Sequence, residues 1–169
     1  MAFADLLLPE IEQEAAATRA VLERVPEDKF DWKPHDKSFS LGRLASHTAE
    51  IMGWVGNALE KDELDFAPPG EEPQDPWVAS SRAELIETLD RNAASATEVV
   101  GKTDDAEYGK PWTLKSGGEA LFTMPKGMTL RRFVLSHLVH HRAQLGVYLR
   151  LLDIPVPSTF GPSADEQSF

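Results

Sequence analysis

The chain has 169 residues, with 17 Lys plus Arg against 28 Asp plus Glu and a formal charge of −11, and one domain spanning residues 1–169 accounts for that length. So acidic a surface repels phosphate backbones and anionic lipid, which argues against nucleic acid or a membrane surface as partner. There is no cysteine, which excludes disulfide scaffolds, a thiol nucleophile of the chain's own and any cysteine-ligated metal. In chain order, apolar positions Leu7, Leu8, Ile11, Ala15, Thr18, Leu22 and Val25 recur at steps of three and four, predicting a helix from Phe3 to Val25 that Pro26 stops. A second helix is expected from Ser40, as N-cap, to about Asp62, with Leu41, Leu44, His47, Ile51, Trp54 and Val55 on one face. Residues 63–79, carrying Pro68, Pro69, Gly70, Pro73 and Pro76, read as an extended crossover. A third helix is expected from Ser80 or Ser81 to Val100, with Gly101 as its C-terminal cap. Trp112–Leu114 and Leu121–Met124 flank Gly117–Gly118 and predict a small β-hairpin. The fourth helix runs from about Thr129 to Asp153, with Val134, His137, His141, Leu145 and Tyr148 on its inner stripe, and Pro155 and Pro157 forbid its continuation.

Four amphipathic helices with two long connections point to an all-α four-helix bundle that is not the simple up-down-up-down type. No stretch approaches the roughly 18 uninterrupted apolar residues of a membrane span. The start has no basic segment, and its Leu6–Leu8 run meets Pro9 and Glu10, so it does not read as a signal peptide. The expectation is a soluble cytoplasmic domain.

Three of the five histidines fall in His137-Leu-Val-His-His141. His137 and His141 are one turn apart and about 40° apart around a helix, so both imidazoles can point at one ion. His140 and His141 diverge by about 100°, which makes His140 a poor third ligand. His47 lies on the inner stripe of the second helix and can supply a third nitrogen from across the core. Three protein ligands with a vacant position is the pattern of a catalytic metal site. Three core histidines bonded to backbone carbonyls or water are the alternative.

The segment from His137 to Gly146, followed by Tyr148-Leu-Arg-Leu-Leu-Asp-Ile-Pro-Val-Pro and Phe160-Gly-Pro-Ser-Ala-Asp-Glu, resembles the C-terminal signature of the DinB-like family, as does Leu44-Ala-Ser-His-Thr-Ala-Glu-Ile in the second helix. That resemblance implies an up-down-down-up DinB/YfiT-like bundle and a homodimer. It further implies a divalent metal ion, nickel or zinc, held by His47, His137 and His141. Asp153 stands where many members have glycine, so the last helix is expected to end without the usual left-handed glycine.

Characterised relatives include transferases and isomerases that use low-molecular-weight thiols, so the resemblance implies an enzyme acting on a small electrophile, foremost a thiol-dependent S-transferase. A metal-dependent hydrolase and a non-catalytic metal-binding stress protein are the alternatives. Glu50, three residues after His47, is a candidate to orient an imidazole or act as base, and Gln144 a candidate to support His141. Arg142 is expected on the outer face and His35 in an exposed loop. Trp32, Trp54 and Trp112 are either cleft walls or core. The tail Phe160–Glu166 is read as a cover for the bundle end, a dimer contact or a mobile terminus.

Overall fold

Helical periodicity sets most of the architecture of the computed structural model, which describes residues 2–72 and 75–167. Helix α1 spans Phe3–Leu22 and stops three residues before Val25, because Pro26 bars its predecessor from the helical region. Ser40 caps the next helix as expected, its hydroxyl accepting the Arg43 N–H at 3.2 Å. That helix is interrupted: α2 (Leu41–Glu50) passes through a tight 3-10 turn at Ile51–Gly53 into α3 (Trp54–Leu59). Asn92 meets the turn, its amide donating to the Ala49 carbonyl at 3.0 Å. A Cβ on Gly53 would lie 3.1 Å from the Asn92 side chain, so glycine is what admits this contact.

Helix α4 (Arg82–Lys102) starts at Ser81, whose hydroxyl accepts the Glu84 N–H at 3.2 Å. It runs through Gly101 rather than ending there; Thr103 closes it, its hydroxyl donating to the Val99 carbonyl at 2.6 Å. The expected hairpin is present as β2 (Pro111–Ser116) and β3 (Glu119–Pro125), turning at Gly117 and Gly118 with φ of 63° and 82°. The all-α expectation needs one correction. Glu63–Asp65, within the expected crossover, form a strand, β1, that pairs parallel to β2 and makes a three-stranded sheet in the order β1-β2-β3.

The last helix has three parts: α5 (Lys126–Thr129), a π-helical stretch at Leu130–Leu135, and α6 (Ser136–Leu151). Asp153 itself takes the left-handed conformation, with φ of 57°. The Asp153 N–H donates to Arg150 O at 3.1 Å and the Ile154 N–H to Leu149 O at 3.0 Å, so a Schellman cap forms without glycine. Helix α1 packs on α4 and α6, and α2 packs on the same two helices. Ile11, Leu22, Leu44, Ile51, Leu85, Leu89, Leu138 and Leu145 fill the space between them.

Arg142 overturns its expected place. It is buried in this core, its guanidinium donating to the Glu14 carboxylate at 2.6 Å and to Thr18 Oγ1 at 3.2 Å. The C-terminal segment folds back on the helices. Asp165 pairs with Arg150 and accepts the Val156 N–H, while Glu166 pairs with Arg24 and accepts the Ser158 N–H at 3.0 Å. Among the described residues, no helix is long and apolar enough to cross a membrane.

Candidate metal centre

His47 comes from α2 and His137 and His141 from α6, and the packing of these two helices brings all three together. His141 Nε2 lies 2.8 Å from His137 Nε2, which in turn lies 3.4 Å from His47 Nε2. One donor atom from each ring falls within 4.8 Å of the others.

The protons are placed by what surrounds the outer nitrogens. A carbonyl oxygen can only accept, so His137 Nδ1 carries the proton it donates to Phe133 O at 3.3 Å. His141 Nδ1 donates to Gln144 Oε1 at 2.7 Å. Burial pushes the His141 pKa down to about 4, assisted by the neighbouring imidazoles, and lowers that of His137 for the same reasons. Both rings are therefore neutral near pH 7, with bare Nε2 lone pairs facing each other at hydrogen-bond distance and no proton between them. Such an arrangement is repulsive unless a positive centre lies among the nitrogens.

The spacing suits one. With metal–nitrogen bonds of 2.0–2.1 Å, ligand nitrogens lie about 3.4 Å apart in a tetrahedron and about 2.9 Å apart at right angles. The 3.4 Å separation equals the tetrahedral edge, and the 2.8 Å separation lies close to the right-angled one. His47 Nδ1 is buried without a hydrogen-bond partner among the described residues, and the Glu50 carboxylate lies 3.7 Å from it. Arg43 holds that carboxylate at 3.5 Å.

Aromatic rings close the other sides. Trp54 sits with its ring centroid 5.5 Å from His47 and 5.4 Å from His137, and Phe39 meets His47 edge-on at 6.3 Å. Beyond Glu50 and Trp54 an open, largely polar cleft of about 590 Å³ is bordered by Trp77, Glu84, Arg91 and Asn92.

Among the other sequence candidates, His140 is exposed and offers no nitrogen to the cluster, although its ring lies 4.8 Å from that of His141. His35 is exposed, its Nδ1 accepting the Lys37 N–H at 3.1 Å. Trp32 packs edge-on against Tyr148, and Trp112 is buried, its indole donating to Asn57 O at 2.8 Å. The Phe133 carbonyl was not anticipated. A backbone acceptor leaves no mark in sequence, and its only indirect signal is a position four residues before His137.

The sequence profile of the DinB superfamily matches residues 10–145. An uncharacterised protein of Bacillus subtilis (strain 168), YrdA, is 27% identical over 162 residues, covering 96% of this chain and 90% of its own. Two crystal structures share the fold. A DinB-like protein from Bacillus cereus superposes with a TM-score of 0.67 at 19% identity, over 89% of this chain and 93% of the other. The DinB-like protein YjoA from Bacillus subtilis gives 0.68 at 15% identity, over 96% and 99%.

Proposed function

Because the chain belongs to the DinB superfamily and brings three imidazoles together at their Nε2 atoms, we propose that it is a metal-dependent enzyme that joins a low-molecular-weight thiol to a small electrophile. His47, His137 and His141 hold the ion, nickel or zinc. The observation that carries the reading is the 2.8 Å approach of two ring nitrogens whose protons are engaged elsewhere. A divalent ion with an open position lowers the pKa of a thiol bound to it and so supplies a thiolate at neutral pH.

The chain's own groups prepare that chemistry. Gln144 and the Phe133 carbonyl hold His141 and His137 in the tautomer that presents Nε2. Glu50, paired with Arg43, is 3.7 Å from Nδ1 of His47, and on closing to hydrogen-bond distance it would orient that ring. Glu50 also borders the polar cleft, where a carboxylate can take the proton a thiol gives up. With no cysteine in the chain, the thiol comes from solution.

The helices are read with the same family as an up-down-down-up four-helix bundle acting as a homodimer. The exposed Val147 and Leu151 on the outer face of α6 support self-association, and light scattering after gel filtration tests it.

The deciding experiment pairs elemental analysis of the purified protein with incubation of nickel- or zinc-loaded protein, a panel of small thiols and monochlorobimane. Metal-dependent formation of the thioether, lost in His137→Ala, is the expected result. Full metal occupancy with no acceleration by any thiol overturns the transferase reading. In a parallel incubation with 4-nitrophenyl acetate and no thiol, metal-dependent ester cleavage would assign a hydrolase instead.

A further inference from the structure

Trp54, which borders the polar cleft, also borders a separate cavity of about 250 Å³ between α3, the sheet and the π-helical stretch. Its walls are Trp54, Leu64, Phe66, Trp112, Leu114 and Phe133. Two polar residues border it, but the surface turned to the cavity is almost wholly apolar: the Thr129 hydroxyl donates to Pro125 O, and the backbone carbonyl of Asn57 accepts the Trp112 indole. The cavity therefore offers a guest apolar contact and no hydrogen bond. Apolar voids of about 150 Å³ stay dry and take up benzene, so this one has room for a single aromatic ring with a short substituent. Protein interiors are otherwise close-packed, and Ala58, at the wall, is a position where a larger side chain would have closed the space.

Two walls also belong to the histidine centre. Trp54 packs against the rings of His47 and His137, and the residue whose ring faces the cavity, Phe133, is the one whose carbonyl fixes His137. Phe66, largely exposed, stands at the rim.

We infer that this cavity receives a compact apolar group, the size of one substituted aromatic ring, from the substrate whose reactive end lies at His47, His137 and His141. The inference rests on the metal-centre reading above, and names the class of electrophile: one whose reactive carbon is joined to a small uncharged ring or branched hydrocarbon. The sheet then has a purpose beyond bracing the helices. Strands β1 and β2 supply Leu64, Trp112 and Leu114 as one wall of a specificity pocket beside the helices that carry the chemistry.

The test uses 4-fluorotoluene as probe, followed by fluorine NMR with the full chain. The metal-free protein is expected to broaden the probe signal saturably. Ala58→Leu and Leu64→Trp, which fill the cavity from a helix and from a half-buried strand position, are expected to weaken binding by about tenfold or more while circular dichroism stays unchanged. His137→Ala is expected to bind the probe as the parent does. Loading with paramagnetic cobalt is expected to speed relaxation of the bound probe in the parent but not in His137→Ala. No saturable binding, or binding unchanged in both filled variants, overturns the assignment of the cavity whatever the metal does. Cavity binding without cobalt uptake fails the metal reading instead. Bound cobalt with no added relaxation shows that the cavity is not part of the reaction site.

Discussion

Gln144 settles the tautomer of His141, and with it which nitrogen the ring can offer. Gln144→Leu is expected to weaken metal affinity about 10- to 100-fold, measured by competition with a chromophoric chelator, because the ring loses the acceptor that fixes it. His47→Ala, His137→Ala and His141→Ala are each expected to empty the site with the helical signal intact, whereas His140→Ala, an exposed position, keeps the metal. The pH dependence of the metal-free protein follows from the same burial. His141, lowered to about 4, and His137, also lowered, bind protons less readily when folded than when unfolded, where the pKa is about 6.5. Their contribution to stability is fully present above about pH 6.5 and is lost as pH falls through the folded value. Thermal melts of chelated protein should therefore fall between pH 7 and pH 4, and less steeply in His141→Gln; an unchanged slope would sink this account. The three histidines were legible because helical spacing aligns His137 with His141 and sets His140 aside, while His47 falls on the inner stripe of the second helix and in a segment that resembles the family. The role of Trp54 was not, since a tryptophan lining a site and one filling a core look the same in sequence.

The π-helical stretch displaces the buried face of the last helix from where a uniform period puts it. A uniform helical period puts His137, His141 and Leu145 at the centre of the buried stripe. In the structure the stripe is Leu138, Arg142, Leu145 and Leu149, with the half-buried histidines along its edge. The wide turn at Leu130–Leu135 shifts the register just before Ser136, and π-helical turns of this kind concentrate at functional sites. That shift carries Arg142 inward to Glu14, a pairing invisible to a reading that put Arg142 outside and did not count Glu14 in the apolar stripe of α1. Strand β1 was missed for a different reason: three residues in a proline-rich crossover show no strand period, and only pairing with β2 gives them one. The ion pair makes its own test. Arg142→Met should destabilise the fold by about 3–5 kcal/mol, because it leaves the Glu14 carboxylate buried without a counter-charge. Adding Glu14→Leu should recover most of that loss, measured by urea unfolding. If the double variant is no more stable than Arg142→Met, the buried charge is not the cause.

Over the whole molecule, the centre ties together segments far apart in the chain: His47 and His137 are 90 residues apart and sit on helices that pack directly on one another. An ion held by both therefore acts as a cross-link between α2 and α6, and it is available only to the folded chain. Binding to the native state alone stabilises by about 2.7 kcal/mol when the free ion is at 100 times its Kd. For a domain of this size that corresponds to a rise in Tm of about 5–10 °C. The expected result is a melting temperature that climbs with nickel or zinc concentration, returns to its starting value in chelator, and shifts less as the pH is lowered because protons compete for the same nitrogens. Surface binding to the acidic exterior would also raise Tm, so the variants carry the argument. His140→Ala should show the full rise, since that ring lies outside the cluster. His47→Ala should show almost none, even though His137 and His141 remain paired on α6, because two ligands on one helix leave α2 free to separate. A full shift in His47→Ala would place the ion on α6 alone and remove the cross-helix centre.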